Sequence, residues 1–465
     1  MNSVVINQSK GLYKAELFSL LVFCFFFVLS FFVFDQIQQT LIIPMMIMIM
    51  AFGILVFWLV RIEKSLPIFD AGFFMIAITF LYSFYPYLSF VMTGFEVGLG
   101  GDNRLNSYRV KPDELGLFAW HHVTYLISLI TGYIIFRPKT SISQSTKPLI
   151  VHKDQAIISV TVLLAILAFE LAVGIFREAV RPHFVMQMIN MVGAIKFVFT
   201  IWLMIFAMVH WQDRVVRYTL FVYLAYEILQ IFLGNAGRTW VFLHFCAFTM
   251  LYHRFVSPIR MRQMVLVFTG MFILFMFFGF YRHSPVDLFQ NITNVYFYIG
   301  GSNEFTSNLG TAYDLYMRKN ALNTLGEIPW QVRFDDIIYL IPSQLLPFEK
   351  TDLSNWYLRI IGLHGRSAGF TFGVISQGVV GGGMFELAIR GVITGSVFGL
   401  LHKWYLRNND SFWGTVFYVF VAIKAYYMFR ASTVYLPYAI LYNFIPAYLL
   451  VMFIKKTTTK PKVTS

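Results

Sequence analysis

The chain has 465 residues and a formal charge of +13, and it is 58% hydrophobic and 19% aromatic but only 13% charged. A water-soluble domain averages about 25% charged residues and has no room to hide so much apolar surface, so a soluble fold is excluded and a polytopic membrane protein is implied. The positive charge is therefore read first by side of the membrane, not as a nucleic-acid footprint, and no nucleic-acid partner is expected. Cys24 and Cys246 both lie in apolar runs, which leaves neither a disulfide framework nor a metal cluster.

A hydrocarbon core about 30 Å thick needs ~20 apolar residues per helix. Twelve runs meet that demand: 15–34, 41–60, 68–94, 115–136, 155–176, 187–209, 218–234, 239–252, 264–281, 379–401, 411–429 and 433–454. The first is read as a span, because no small-residue cleavage site follows it. The seventh and eighth are short and separated only by the turn formers of Asn235-Ala236-Gly237-Arg238. With the N-terminus on the cytoplasmic side, the inside segments carry 19 Lys and Arg and the short outside loops carry 7. That asymmetry places both termini in the cytoplasm, and the whole chain, 1–465, reads as one integral membrane domain. The basic tail, with Lys455, Lys456, Lys460 and Lys462, suits an anionic inner leaflet. The expected fold is thus all-α, with about twelve transmembrane helices.

Between spans nine and ten lies a long segment, 282–368, with 7 Lys or Arg and 8 Asp or Glu. It is nearly neutral, is not of low complexity, and has apolar positions at helical spacing near Tyr313–Tyr316 and Ile337–Leu346. A loop this long is functional or disordered, and its apolar content predicts a partly helical cap on the extracytoplasmic face.

Phosphate-loop, zinc-protease and serine-elbow motifs are missing, and the ten His are scattered. What stands out is a set of arginines on the outer side, against the positive-inside bias: Arg177 and Arg181 flanking Glu178, Arg238, Arg282, Arg333, Arg359, Arg366 and Arg430. Pairing with Glu178, Asp335 or Asp336 explains any one of them. A bound anion explains the set, because the planar guanidinium fork matches phosphate. Arg238 opens a helix whose N-terminus faces outside, where free N–H groups also favour an anion; a side chain snorkelling to water is the alternative. Ionisable residues inside spans are Glu170, Lys196, Glu227, Glu386, Arg390 and Lys424. Glu386 and Arg390, at i,i+4, read as an ion pair, and Lys196 pairs with Glu170 or Glu227. The Gly378–Gly383 stretch reads as a helix break beside substrate or as close helix packing.

Several strings resemble the bacterial O-antigen polymerases, the Wzy-type oligosaccharide repeat-unit polymerases. Ile341-Pro342-Ser343-Gln344-Leu345-Leu346-Pro347-Phe348-Glu349-Lys350 is similar to the Pro-rich region of that family's large outer loop, with Ser343 where the family has Arg. Gly369–Gly399 is similar to the stretch after it. Asn235–Trp240 resembles the start of a late membrane helix, Phe176-Arg177-Glu178 through Arg181 an outer-loop string, and Asn303-Glu304-Phe305 the opening of the large loop.

The resemblance implies a membrane glycosyltransferase. It moves a growing glycan from undecaprenyl pyrophosphate onto a lipid-linked repeat unit, at the outer face of the inner membrane. The implied partners are undecaprenyl-pyrophosphate-linked glycans, membrane lipid, and a chain-length regulator and flippase of the same pathway. Neither a cofactor nor a metal is expected. Developing charge on the leaving pyrophosphate then falls to Arg177, Arg181, Arg238, Arg282, Arg366 and Arg430. A catalytic base for the attacking hydroxyl comes from Glu304, Asp335, Asp336 or His364. The alternatives are a lipid-linked oligosaccharide flippase or transporter, and an O-antigen ligase.

Overall fold

In the computed structural model the described residues are 39–63, 65–93, 110–139, 149, 153–175, 183–232, 238–283, 304–342, 345–348, 350–351, 353–362 and 371–458. Among them the fold is all helical, with no β-strand. The long helices are α1 (Gln39–Glu63), α2 (Ala71–Thr93), α3 (Pro112–Phe136), α4 (Lys153–Ile175), α5 (His183–Val209), α6 (Arg214–Phe232), α7 (Arg238–Phe255) and α8 (Met261–His283). They are followed by α9 (Glu304–Asn320) and by the short helices α10 (Trp330–Arg333), α11 (Asp335–Ile338), α12 (Leu353–Ile360) and α13 (Val374–Val380). The chain ends with α14 (Met384–Arg407), α15 (Phe412–Lys424), α16 (Tyr427–Arg430), α17 (Tyr435–Ala439) and α18 (Ile445–Thr458), the last two joined by a π turn, Ile440–Phe444.

Six of these stretches are long and apolar enough to cross a membrane: Thr40–Glu63, Ala71–Thr93, Pro112–Phe136, Met384–Arg407, Phe412–Arg430 and Tyr435–Lys456. The chain is an α-helical membrane protein. Each apolar run from 41 onward overlaps a helix among the described residues, while the run at 15–34 lies outside them.

The chain forms two compact units. Unit 1 comprises 1–144, 258–403 and 425–434, and its helices α1, α2, α3 and α14 are tied at one end by a buried polar knot. Asp70 caps α2, accepting from the Gly72 and Phe73 amides at 2.9 and 3.2 Å. Its other carboxylate oxygen accepts from Tyr133 Oη at 2.5 Å and Arg137 Nε at 2.9 Å, with His402 Nδ1 at 3.4 Å. Arg137 also bonds Glu63. Two carboxylates share one guanidinium here, all three buried, with the remaining acceptors met by Tyr133 and backbone amides.

Helices α3 and α14 touch backbone to backbone. Gly391, Gly395 and Gly399 recur every fourth residue on α14, and a Cβ on any of them would overlap α3 between Tyr125 and Arg137. Helices in lipid gain little from burying apolar surface against one another, so close approach through small residues carries the packing.

Helix α9 lies within the segment expected to form a cap, and it packs closely against other helices. Most of its length from Glu304 to Leu315 is buried. Glu304 and Phe305 lie against Tyr82, halfway along α2, and Tyr313 and Tyr316 lie against Phe118 near the start of α3. The helix therefore runs inside the bundle, where its polar groups find partners. Asn308 Nδ2 donates to the carbonyls of Phe372 and Phe429, both at 2.6 Å, and Asp314 accepts from Tyr357 Oη at 2.6 Å and Arg318 Nε at 2.9 Å. Gly373, at φ +145°, admits no other residue comfortably, because a Cβ there would strike the Phe429 carbonyl.

Unit 2 comprises 145–257, 404–424 and 435–465. It is centred on Lys196 of α5, whose Nζ lies 2.7 Å from Glu170 of α4 and 2.6 Å from Glu227 of α6. The sequence left Lys196 a choice of partner, and it takes both. Trp240 Nε1 donates to the second oxygen of Glu227 at 2.7 Å. Lys424 lies 4.6 Å above the Phe197 ring.

The glycine contact gives a first test. Gly395→Ala should lower the unfolding temperature in detergent and the yield from membranes, by a destabilisation of about 1–3 kcal/mol from overpacking. Gly270→Ala, where nothing lies within 4 Å of the new Cβ, should leave both unchanged or slightly improved. Equal behaviour of the two variants would contradict the packing described.

Candidate functional site

The richest polar site in unit 1 forms where α11, α13, α14 and the segment after α16 meet. Arg390 is its hub. The guanidinium pairs with Asp336, contacts Glu386 through Nε at 2.7 Å, and donates to Thr433 Oγ1 at 3.0 Å. The Glu386–Arg390 pair expected from spacing is present, but it is not private. Asp336 also accepts from the Thr433 hydroxyl. Gln377 of α13 spans the two adjacent carboxylates, its Nε2 lying 3.0 Å from Asp335 and 3.2 Å from Asp336. Its amide oxygen accepts from the Thr433 amide at 3.2 Å.

The glycine turn after α13 forms one wall. Lys319, near the end of α9, donates to the Val379 and Gly381 carbonyls, each at 2.7 Å, satisfying the orphan acceptors of a helix C-terminus. The Gly382 amide donates to Glu386 Oε2 at 2.6 Å. Gly381 leaves space that a Cβ would take from that carboxylate, and Gly383 turns the chain at φ +65°. The stretch breaks the helix beside a polar site, and Gly378 also packs closely, since a Cβ there would strike Leu387 of α14.

These groups line a cavity of about 270 Å³, with Lys319, Arg333, Asp335, Gln377, Glu386 and Arg390 as its polar wall and Val332, Leu353 and Val380 among its apolar ones. Burial, and then the neighbouring Asp336, push the Asp335 carboxyl up to about 7, with Gln377 and Arg390 opposing. Burial also lowers Lys319, an effect that Glu386 opposes. The cavity thus joins an acid poised to exchange a proton near neutrality with three cationic side chains. That is the equipment for deprotonating a hydroxyl beside an anionic group.

A second group sits deeper. Glu304 accepts from Tyr82 Oη at 2.8 Å and Tyr426 Oη at 2.5 Å on one carboxylate oxygen, with Arg430 Nε 3.5 Å from it. Arg430 is partly exposed and its segment continues to Thr433, so one short stretch of chain serves both groups.

Of the residues singled out in the sequence, the structure therefore brings Asp335 and Asp336 together, and Glu304 with Arg430. Arg177, Arg181, His364 and Arg366 lie outside the described residues. Arg238 begins α7 and Arg282 lies near the end of α8, and their side chains also fall outside the description. Lys319, Gln377 and Thr433 were missed; an uncharged Gln inside an apolar helix was the one available signal. Glu63, Asp70 and His402 form the one group of three potential metal ligands among the described residues, apart from the sites above, and Arg137 already bonds both carboxylates. Comparison with protein-family models, curated proteins and solved structures gives no match.

The raised Asp335 makes a stability prediction. The folded protein holds this proton up to about pH 7, whereas an unfolded Asp releases it near 4. Between those values the native state binds more protons, so the Asp335 contribution to stability falls as pH rises. Asp335→Asn should therefore unfold at a higher temperature than the parent at pH 8, with the gap closing as pH falls towards 4. A gap independent of pH would contradict the assignment.

Proposed function

We propose that this protein polymerises undecaprenyl-pyrophosphate-linked oligosaccharide repeat units into O-antigen or a related surface polysaccharide, at the outer face of the bacterial inner membrane. In this reading the twelve apolar runs all cross, both termini are cytoplasmic, and the cavity faces outward. The observation that carries it is the pairing of Asp335, a carboxyl poised near pH 7, with Lys319 and Arg333 in the wall of one cavity. Asp335 takes the proton of the attacking sugar hydroxyl. The new glycosidic C–O bond forms as the bond to pyrophosphate breaks, and Lys319 and Arg333 meet the charge that develops on the leaving group. Arg390 holds Asp336 in an ion pair, while Asp335 faces the cavity.

Arg177, Arg181, Arg238, Arg282, Arg366 and Arg430 are proposed to extend the phosphate-binding surface. Glu304 and His364 stand as the other proton acceptors to test. The cavity is smaller than the ~300–1,000 Å³ typical of drug-sized ligands, which suits the reacting end of a glycan and not its whole length.

One observation favours a different reading, a lipid-linked oligosaccharide flippase or other transporter: the Lys196–Glu170–Glu227 network buried in unit 2, since intramembrane charge marks transport pathways.

The glycan profile of a strain carrying Asp335→Asn at parental protein level separates these readings. Polymerisation predicts one repeat per lipid core, with the rate down by about a hundredfold, the usual cost of a lost acid–base group. Long lipid-linked chains with a bare core would indicate a ligase. Loss of lipid-linked repeats from the outer face would indicate a flippase. A parental ladder would end the assignment of Asp335. With reconstituted protein, the rate at low substrate should rise about tenfold per pH unit below 7 and level off above it, in the parent alone.

A further inference from the structure

Helices α10 and α11 are amphipathic in the wrong sense for a cap in water. Val332, Asp335 and Ile338 are buried. The side turned out carries Trp330, Phe334 and Ile337, which are 52%, 55% and 61% exposed. Phe348 stands edge-on to Trp330, its ring centroid 5.1 Å away, and Leu345 is also exposed. Arg333 is the one charged side chain exposed within this stretch.

The ion pair to Arg390 sets the depth of the segment. Arg390 is the seventh residue of α14, about 9 Å along the axis from Met384 at 1.5 Å per residue. Helix α14 is one of the six candidate spans, and Phe385, Ile389 and Ile393 are exposed along it. Asp336 therefore straps α11 to the flank of a spanning helix, more than one turn in from its end. Two exposed apolar surfaces, Trp330, Phe334 and Ile337 on one side of that bond and Phe385, Ile389 and Ile393 on the other, thus belong to elements strapped together. Trp at such a level is the usual interfacial anchor, and an exposed Arg beside it suits lipid phosphate.

We propose that α10 and α11 are an interfacial anchor, with Trp330, Phe334, Ile337 and Leu345 immersed in the lipid bilayer. The cavity behind them then opens beside the lipid and not into bulk water, so an amphiphile with an anionic head reaches Arg333 and Asp335 by moving sideways in the membrane. The placement holds whatever reaction the site performs, and its test makes no use of activity.

Full-length protein, with Cys24→Ser and Cys246→Ala, is reconstituted into vesicles of phosphatidylcholine and phosphatidylglycerol. Nitroxide labels go on Trp330→Cys, Phe334→Cys and Ile337→Cys one at a time, with Asn323→Cys as the exposed reference. Collision with oxygen, which concentrates in lipid, should exceed collision with a water-soluble nickel chelate several-fold at the three sites and fall below it at 323. Nickel access equal to that at 323 would overturn the proposal. So would exclusion of both probes, which would mean that protein covers the surface. A label-free measurement guards against misfolded variants. Fluorescence of the parent minus that of Trp330→Phe should be quenched by lipids brominated near the top of the acyl chain, and an unquenched difference spectrum would also overturn it.

Discussion

Arg390 is the constraint on which the rest of the site depends. A guanidinium inside a membrane span is costly to desolvate unless its charge and donors are met at once. Here Asp336, Glu386 and Thr433 meet them, and they come from three parts of the chain. Satisfying one partly buried cation therefore fixes the short helices of the long segment against α14, places the turn after α13, and orients the stretch that follows Arg430. The cavity exists because these pieces are held apart by polar contacts and not collapsed onto an apolar core.

The same rule explains why α9 can lie inside the bundle. Its sequence is too polar to cross a membrane alone, yet its buried groups are met one by one. Glu304 takes two tyrosine hydroxyls, Asn308 bridges two carbonyls, and Asp314 takes Tyr357 and Arg318. A non-spanning helix at membrane depth is tolerated where protein surrounds it. Its last turns carry Lys319 to the carbonyls that close α13, so the deep helix also builds the cavity wall. In the proposed reaction this division of labour is useful. Asp336 is held by its ion pair, and Asp335, one residue away, lines the cavity as the proposed proton acceptor.

The membrane helices were legible in the sequence because hydropathy is a local sum, and a run such as 115–136 declares itself without reference to the rest of the fold. The Glu386–Arg390 pair was legible for a similar reason, since i,i+4 spacing places both on one helix face. Helix α9 was legible as a helix, from the spacing near Tyr313–Tyr316, but not as a buried one, since its burial depends on partners more than 60 residues distant, such as Phe372 and Phe429 for Asn308. Thr433 was invisible for the same cause, and Gln377 showed only as a polar residue in an apolar helix: neither is charged, and their role lies in what the chain brings to them. Arg390 was noticed as an intramembrane charge, but its bond to Asp336 crosses 54 residues and no pattern announces it.

The most direct test of the account is a double-mutant cycle on that bond, with unfolding followed for the parent, Asp336→Asn, Arg390→Gln and the double variant in one detergent. If the pair pins α11 to α14, each single change strands a partly buried charge, and the double variant loses less than the two losses combined. A coupling of about 1.5 kcal/mol or more is expected, within the range for side chains sharing one network. Losses that add to within about 0.5 kcal/mol would show that Asp336 and Arg390 act independently, and the site built around them would not stand.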